Sequence, residues 1–192
     1  MIPLHHSVEF QHHLWLDTLV TARTIVDITC GNGYDMIYLL SHCHENSHVY
    51  AIDIQEIALI RAREKLLKEF PQAIKQVNFI LGSHDSVLET LPVSSIDLLV
   101  GNLGYLPNAD HQIMTQSTTT IKALSKGLEK LSVNGLCTIV AYPGTEAGRQ
   151  EAEALEEYIA SIHQNEFHCS TWRPLNQVNQ PPILYIIRRR KK

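Results

Sequence analysis

The sequence predicts an α/β protein built on a doubly wound, mostly parallel sheet of seven strands whose last strand runs antiparallel. Three observations predict it. The apolar period switches repeatedly between two and 3.6 residues, which calls for alternating strands and helices. Five strand-then-helix units follow one another, and parallel neighbours need crossovers of that kind. The last two strand-like runs, 167–172 and 183–187, are joined by a loop with no room for a helix, so they pair antiparallel.

Taken in order, Ser7 to Val20 reads as an amphipathic helix, with Ser7 as candidate cap and Val8, Leu14, Trp15 and Leu19 apolar. Thr24 to Ile28 is a short buried strand, Tyr34 to Leu40 a helix, and His48 to Ile52 a second strand. Gln55 to Phe70 is the clearest helix, carrying Ile57, Ile60, Ala62, Leu66 and Leu67 and stopping at Pro71. Val77 to Leu81 is a third strand, Asp85 to Leu91 a short helix, and Ile96 to Val100 a fourth strand after the turn formers Ser94 and Ser95. Thr118 to Leu131 is helical, Leu136 to Ala141 is a fifth strand, and Thr145 to Ile162 is a long helix whose Glu-rich positions face solvent. Phe167 to Trp172 and Ile183 to Ile187 complete the sheet. A parallel sheet ending in one reversed strand is the layout of the Rossmann-like class I methyltransferases, and ordinary nicotinamide-binding domains lack that strand.

Composition sets the outer bounds. The chain has 192 residues, 44% hydrophobic and 19% charged, enough for one sizeable core, so a single domain over residues 1–192 is expected. No apolar run approaches the roughly 18 residues of a membrane span. The start, MIPLHHSVEF, lacks the order of a signal peptide. A soluble, cytoplasmic protein without a membrane partner is the expectation. Cys30, Cys43, Cys137 and Cys169 are widely spread with no C-x-x-C pair, which favours reduced thiols. Of 16 basic residues, five are Arg188 to Lys192, so residues 1–187 carry 11 basic against 20 acidic, a balance of -9. Such a body is no general nucleic-acid binder, and contact with a polyanion must be local, through that tail or a few placed arginines.

The chemistry lies after the strands. Between the first strand and helix runs Asp27-Ile28-Thr29-Cys30-Gly31-Asn32-Gly33-Tyr34-Asp35. Gly31 and Gly33 allow a tight turn and close ligand approach at the carboxyl end of the strand. Met36 stands where G-x-G-x-x-G needs its last glycine, and Asp27 and Asp35 would repel a pyrophosphate. S-adenosylmethionine brings a sulfonium and an ammonium, which these carboxylates attract. Asp53, in Asp53-Ile54-Gln55, lies 53 minus 33, or 20, residues beyond Gly33, the distance of an acid that accepts from ribose hydroxyls. The same aspartate can simply cap the helix that follows. Ser83 and His84 follow the third strand, where an adenine edge would sit, although Ser83 is equally a helix cap.

Asn102 ends the fourth strand beside the expected methyl donor, and Tyr105 follows it at the spacing of the Asn-Pro-Pro-Tyr motif of amino-group methyltransferases, with Leu103-Gly104 between. In that motif the Asn orients a nitrogen lone pair and the ring stacks on the base. The bland alternative is a turn through Pro107 with Tyr105 in the core. The amide-rich run Asn176-Gln177-Val178-Asn179-Gln180 could read a base over the site or be only a loop. Thr118 to Thr120 reads equally as a polar helix start. His42-Cys43-His44 with His48 lacks a second paired ligand motif, so a solvated loop is preferred over a metal centre and no metal is expected. One histidine of His5-His6 and His12-His13 could face a ligand from the opening helix.

Along nearly its whole length the chain resembles the YtqB/MnmM-like family of small S-adenosylmethionine-dependent methyltransferases. The resemblance is carried by Asp27 to Asp35, Val49-Tyr-Ala-Ile-Asp-Ile-Gln55, Asn102-Leu-Gly-Tyr-Leu-Pro107, Thr118-Thr-Thr120, Tyr142-Pro-Gly144, and Leu175-Asn-Gln177 with Pro181-Pro182. It implies methyl transfer to the exocyclic nitrogen of 5-aminomethyl-2-thiouridine at the wobble position, giving 5-methylaminomethyl-2-thiouridine, with the tRNA anticodon region as partner. It implies a cofactor site of Asp27, Thr29, Cys30, Gly31, Asn32, Gly33, Asp35, Asp53, Ile54, Gln55, Ser83, His84 and Asn102. Asn102 and Tyr105 become the catalytic pair, and Tyr105, Pro107, Thr119, Tyr142, Gly144, Asn176 and Gln177 the substrate contacts. The family usually has a small residue in place of Ile28, Thr in place of Met36, and His where Tyr142-Pro-Gly ends in Thr145. Three rivals stand beside this reading: methylation of rRNA or a small molecule by the same site, a non-catalytic RNA-binding module, and a nicotinamide oxidoreductase. The sequence does not select an oligomeric state, although a homodimer would gather basic tails around one substrate.

Overall fold

The computed structural model describes residues 6–104 and 114–191. In chain order they form α1 (Ser7–Leu19), β1 (Thr24–Asp27), α2 (Tyr34–His42), β2 (His48–Asp53) and α3 (Glu56–Glu69). A 3-10 turn (Pro71–Gln76) leads to β3 (Val77–Leu81), α4 (His84–Thr90), β4 (Ile96–Asn102), α5 (Ser117–Lys130) and β5 (Leu131–Ala141). The chain continues through α6 (Glu146–Ser161) to β6 (Phe167–Trp172) and β7 (Ile183–Arg189). Among the described residues seven strands make one sheet in the order β3-β2-β1-β4-β5-β7-β6. The first five pair in parallel, and β7 runs antiparallel to both β5 and β6. The last strand therefore inserts beside β5 and leaves β6 on the edge.

Alternation along the strands separates two apolar layers. Ile25, Leu98, Val100 and Leu136 face the helices that carry Trp15, Leu19, Met36, Leu39, Ala62 and Leu66. Val26, Leu99, Cys137 and Ile139 face Leu88, Ala123, Leu124, Ala152 and Leu155 on the other side. Both faces are covered, as a parallel sheet requires. The strand order reverses between β1 and β4, which opens a crevice above their carboxyl ends.

Three local readings change. Ser7 is not a cap: His6 holds that position, and Ser7 is the buried first residue of α1. Helix α1 docks partly by polar bonds, with Trp15 Nε1 donating to Thr138 Oγ1 at 2.8 Å and Gln11 Nε2 to the same oxygen at 2.9 Å. Helix α3 buries Ala58, Leu59, Ala62 and Leu66, while Ile57, Ile60 and Leu67 are exposed. Small residues win because α2 and its entry turn approach closely there: a Cβ on Gly33 would lie 2.9 Å from that of Ala62. Strand β5 begins at Leu131 rather than Leu136, because Asn134 adopts a positive φ of 64° within the strand instead of closing a separate turn. The pairing register with β4 shifts between Ile96 and Leu98. Among the described residues no helix is long and apolar enough to cross a membrane.

Candidate active site

The turn after β1 stays tied to its neighbours as it leaves the sheet. Ile28 N bonds Val100 O at 2.9 Å and Cys30 N bonds Ile52 O at 2.8 Å. Gly31 and Gly33 then adopt φ values of 53° and 77°, which a side chain would oppose. Asp53 ties this turn to the next one: its Oδ2 accepts from Gly31 N at 2.8 Å and its Oδ1 from Gln55 N at 2.9 Å. Thr29 Oγ1 accepts from Asn102 N at 2.7 Å, joining the first loop to the end of β4. Above these loops opens a cavity of about 930 Å³, the size of cofactor sites.

Its electrostatics come from carboxylates held below and around it. Asp27 is buried, and burial first, then the charges of Asp35 and Asp53, push its carboxyl well above the usual range against one backbone bond from Thr29. Burial likewise raises Asp53, opposed by the amides of Gln55, Gly31 and Ile54. Burial lowers His84, with Asp85 opposing. Asp27 Oδ2, His84 Nε2 and Asn102 Oδ1 are buried and find no hydrogen-bond partner among the described residues. Such orphans are rare in folded proteins, where each costs about 1–3 kcal/mol.

At the foot of the cavity Asp35 accepts from two sides. His12 Nε2 lies 2.6 Å from its Oδ1, and Asn102 Nδ2 donates to its Oδ2. Tyr142 stands near this group, and burial together with the Asp35 charge pushes its hydroxyl up to about 12. Behind the lining residue Thr115, Glu151 is buried and accepts from the hydroxyls of Thr115 at 2.7 Å and Thr120 at 2.8 Å. Thr115 Oγ1 also accepts from Gly104 N, and Thr115 N donates to Gly104 O. Glu151 is thus an exception to the solvent-facing glutamates expected on α6.

Of the expected site residues, Thr29, Cys30, Gly31, Asn32, Asp35, Asp53, Ile54, Gln55, Ser83, His84, Asn102, Thr119, Tyr142 and Gly144 all line this one cavity. Asp27 and Gly33 do not line it: Asp27 lies beneath, and Gly33 is the N-cap of α2, packed against Ala62. Asn176 and Gln177 are exposed and away from the cavity, whereas Gln180 and Pro182 of the same loop line it. Tyr105 and Pro107 lie outside the described residues. Sequence reading missed Val8, Tyr34, Met114, Thr115 and Gln116 as lining residues, and His12 as the partner of Asp35. Thr145, which stands where a histidine was expected, caps α6 by accepting from Gly148 N at 3.1 Å. Ile28 has room because Gly101 faces it: a Cβ there would sit 2.8 Å from Ile28 Cγ1. His42 is occupied with Ser41 Oγ and Tyr38 O, and among the described residues no group of three or more His, Cys, Asp or Glu could hold a metal.

A family model described as "Putative rRNA methylase" matches residues 49–188. The chain belongs to that family. Its similarity to a protein of Clostridium thermocellum solved as a "putative rRNA-methylase" covers 96% of this chain and 97% of that one, at 35% identity and a TM-score of 0.91. SMU.1697c of Streptococcus mutans, a "putative methyltransferase" solved in complex with SAH, covers 96% and 98% at 35% identity and a TM-score of 0.84. The chloroplastic tRNA (mnm(5)s(2)U34)-methyltransferase of Arabidopsis thaliana is 29% identical over 95% of this chain and 69% of its own length.

The cavity of this rRNA methylase family member suits S-adenosylmethionine on its own chemistry. The charges of Asp35 and Asp53 add to burial in raising Asp27, and a group of carboxyls of this kind is relieved by a cation and aggravated by a pyrophosphate. Asp53 accepts two backbone amides and keeps further lone pairs, and His84, with its unpartnered Nε2, lines the same cavity. The protein is an S-adenosylmethionine-dependent methyltransferase.

Proposed function

We propose that the methyl acceptor is the exocyclic aminomethyl nitrogen of 5-aminomethyl-2-thiouridine at the wobble position of tRNA, and that the product is 5-methylaminomethyl-2-thiouridine. The observation that carries this reading is Asn102 Oδ1, a buried acceptor without a partner among the described residues, on the cavity wall at the end of β4. A nucleophile that brings its own N–H satisfies that oxygen, and a primary amine does so while keeping its lone pair for the methyl group. Similarity to the Arabidopsis tRNA methyltransferase along 95% of the chain supports the nucleoside.

The bound cofactor supplies a methyl group already activated by its sulfonium. Asp53 would hold the ribose, Asp27 and Asp35 would balance positive charge, and His84 would meet the adenine edge. Asn102 orients the amine, while Tyr142, Gly144 and Thr119 border the substrate side. An alkylammonium titrates near 10, so the amine must give up a proton on entering the site, and burial favours the neutral form. Holding nitrogen, methyl and sulfur in line then supplies most of the acceleration.

The test is tRNA carrying aminomethyl-thiouridine, incubated with enzyme and cofactor, followed by mass spectrometry of the nucleosides. Gain of one methyl on that nucleoside is expected, and Asn102→Ala should lower turnover about 100-fold with cofactor affinity within about threefold. An unchanged nucleoside beside methylated ribosomal RNA would transfer the activity to the substrate that the family's description names.

A further inference from the structure

His12 lies on α1, 23 residues from Asp35 in the first turn of α2, and no part of the proposed reaction uses it. Its ring is held on several sides. It stacks on Tyr38 with centroids 4.0 Å apart at 17°, and it tilts against Trp15 at 4.8 Å. Tyr38 in turn stacks on His42 at 4.2 Å, and Trp15 is pinned by its bond to Thr138. This packing aims Nε2 at Asp35 Oδ1, 2.6 Å away.

Asp35 then sets the amide of Asn102. A carboxylate only accepts, so the side of Asn102 that meets Asp35 Oδ2 must be its NH2, and the carbonyl oxygen must point the other way. An amide turned over would press two acceptors together. Without a second partner, however, Asp35 could rotate its carboxylate and release this constraint. His12 blocks that rotation by occupying the other oxygen.

We infer that His12 is a positioning residue, which through Asp35 locks Asn102 so that its Oδ1 faces the incoming amine. The inference rests on the amine-methylating reading above. When the nitrogen lone pair bonds to the methyl carbon, the carbon–sulfur bond breaks, sulfur becomes a neutral thioether, and nitrogen becomes a secondary ammonium that later sheds a proton to water. Positive charge thus grows on an N–H that Asn102 Oδ1 accepts. The carboxylate of Asp35 stabilises that charge through the polarised amide.

Two variants separate a positioning role from a packing role. His12→Phe keeps a ring against Tyr38 and removes the nitrogen, whereas His12→Gln returns an N–H donor without the ring. His12→Phe should lower kcat about 10- to 100-fold, with KM for tRNA and Kd for S-adenosylmethionine within about threefold, and His12→Gln should recover most of kcat. In 15N spectra the Asn102 side-chain amide pair, assigned by its loss in Asn102→Asp, should shift in His12→Phe and return towards its wild-type position in His12→Gln. A folded His12→Phe with wild-type kcat or an unmoved amide pair overturns the inference, as does a folded His12→Gln that recovers neither. Should circular dichroism show His12→Phe unfolded, His12→Leu replaces it with the same expected outcomes. If the wild type leaves aminomethyl-thiouridine unmethylated, the substrate reading falls, and the amide spectra still decide the network.

Discussion

The two ends of the sheet differ in how fully they satisfy their polar groups. At the amino ends of the parallel strands, Asp97 accepts from Arg23 N, Thr24 N and Ser132 Oγ, and Ser47 donates to Ala22 O. The basic run of β7 belongs to this end, since Arg188 pairs in register with Leu136 near the start of β5's apolar stretch. Its guanidiniums donate to backbone carbonyls: Arg188 to Asn134, Arg189 to Leu131 at 2.6 Å, and Arg190 to Gln164. At the carboxyl ends, Asp27 Oδ2, His84 Nε2 and Asn102 Oδ1 are left buried without partners among the described residues. A charge run is therefore no guide to function by itself. The informative difference is which polar groups the fold has already satisfied.

The contrast can be broken at either end. Asp53→Ala removes an acceptor from the carboxyl end and should weaken S-adenosylmethionine binding about 10- to 100-fold by calorimetry. Affinity within twofold of wild type would make Asp53 a mere clasp between two loops. Asp97→Ala strands donors at the amino end, and should cost about 1–3 kcal/mol in denaturant unfolding while cofactor affinity stays put.

Proton linkage sharpens the comparison further. The folded protein raises the Asp27 carboxyl above its unfolded value, so the stability tied to this group is fully present below the unfolded pKa and is lost as pH rises through the folded one. A cation in the cavity favours the ionised carboxylate. Cofactor affinity should accordingly increase with pH up to the raised pKa, by at most about tenfold per pH unit, and then level off. Binding below that pKa should release a proton, visible as a dependence of the calorimetric heat on the buffer, and Asp27→Asn should flatten the profile. A wild-type profile already flat would remove Asp27 from the electrostatics of the site. The smallest effect belongs to Arg189→Ala, which loses bonds to Leu131 and Glu129 carbonyls and should cost about 1 kcal/mol of stability without changing turnover.

Sequence reading found the loops of the site because loop chemistry is local. Asp53 and Asn102 each end a strand whose apolar run is plain, Gly31 lies in the turn that follows another, and all three meet at the cavity. Asp27 lies beneath the cavity rather than along its lining, because a strand's last side chain faces the cavity or the core according to a pleat that one residue can invert. Sequence reading treated the loop of Asn176 and Gln177 as a whole, and only Gln180 and Pro182, close to the return into β7, reach the cavity.

The sequence by itself determined the succession of strands and helices, the reversed last strand and the acidic, glycine-bearing loops at the carboxyl ends, since periodicity and turn preference act over a few neighbouring residues. Only the tertiary structure decided the partners. It brought His12 to Asp35 across 23 residues, Asn102 to Asp35 across 67, and Glu151 to Thr115 across 36. It also turned the terminal arginines onto carbonyls at the far end of the sheet. Hydrogen bonds between distant residues depend on how helices lie over the sheet, and no local pattern encodes that placement.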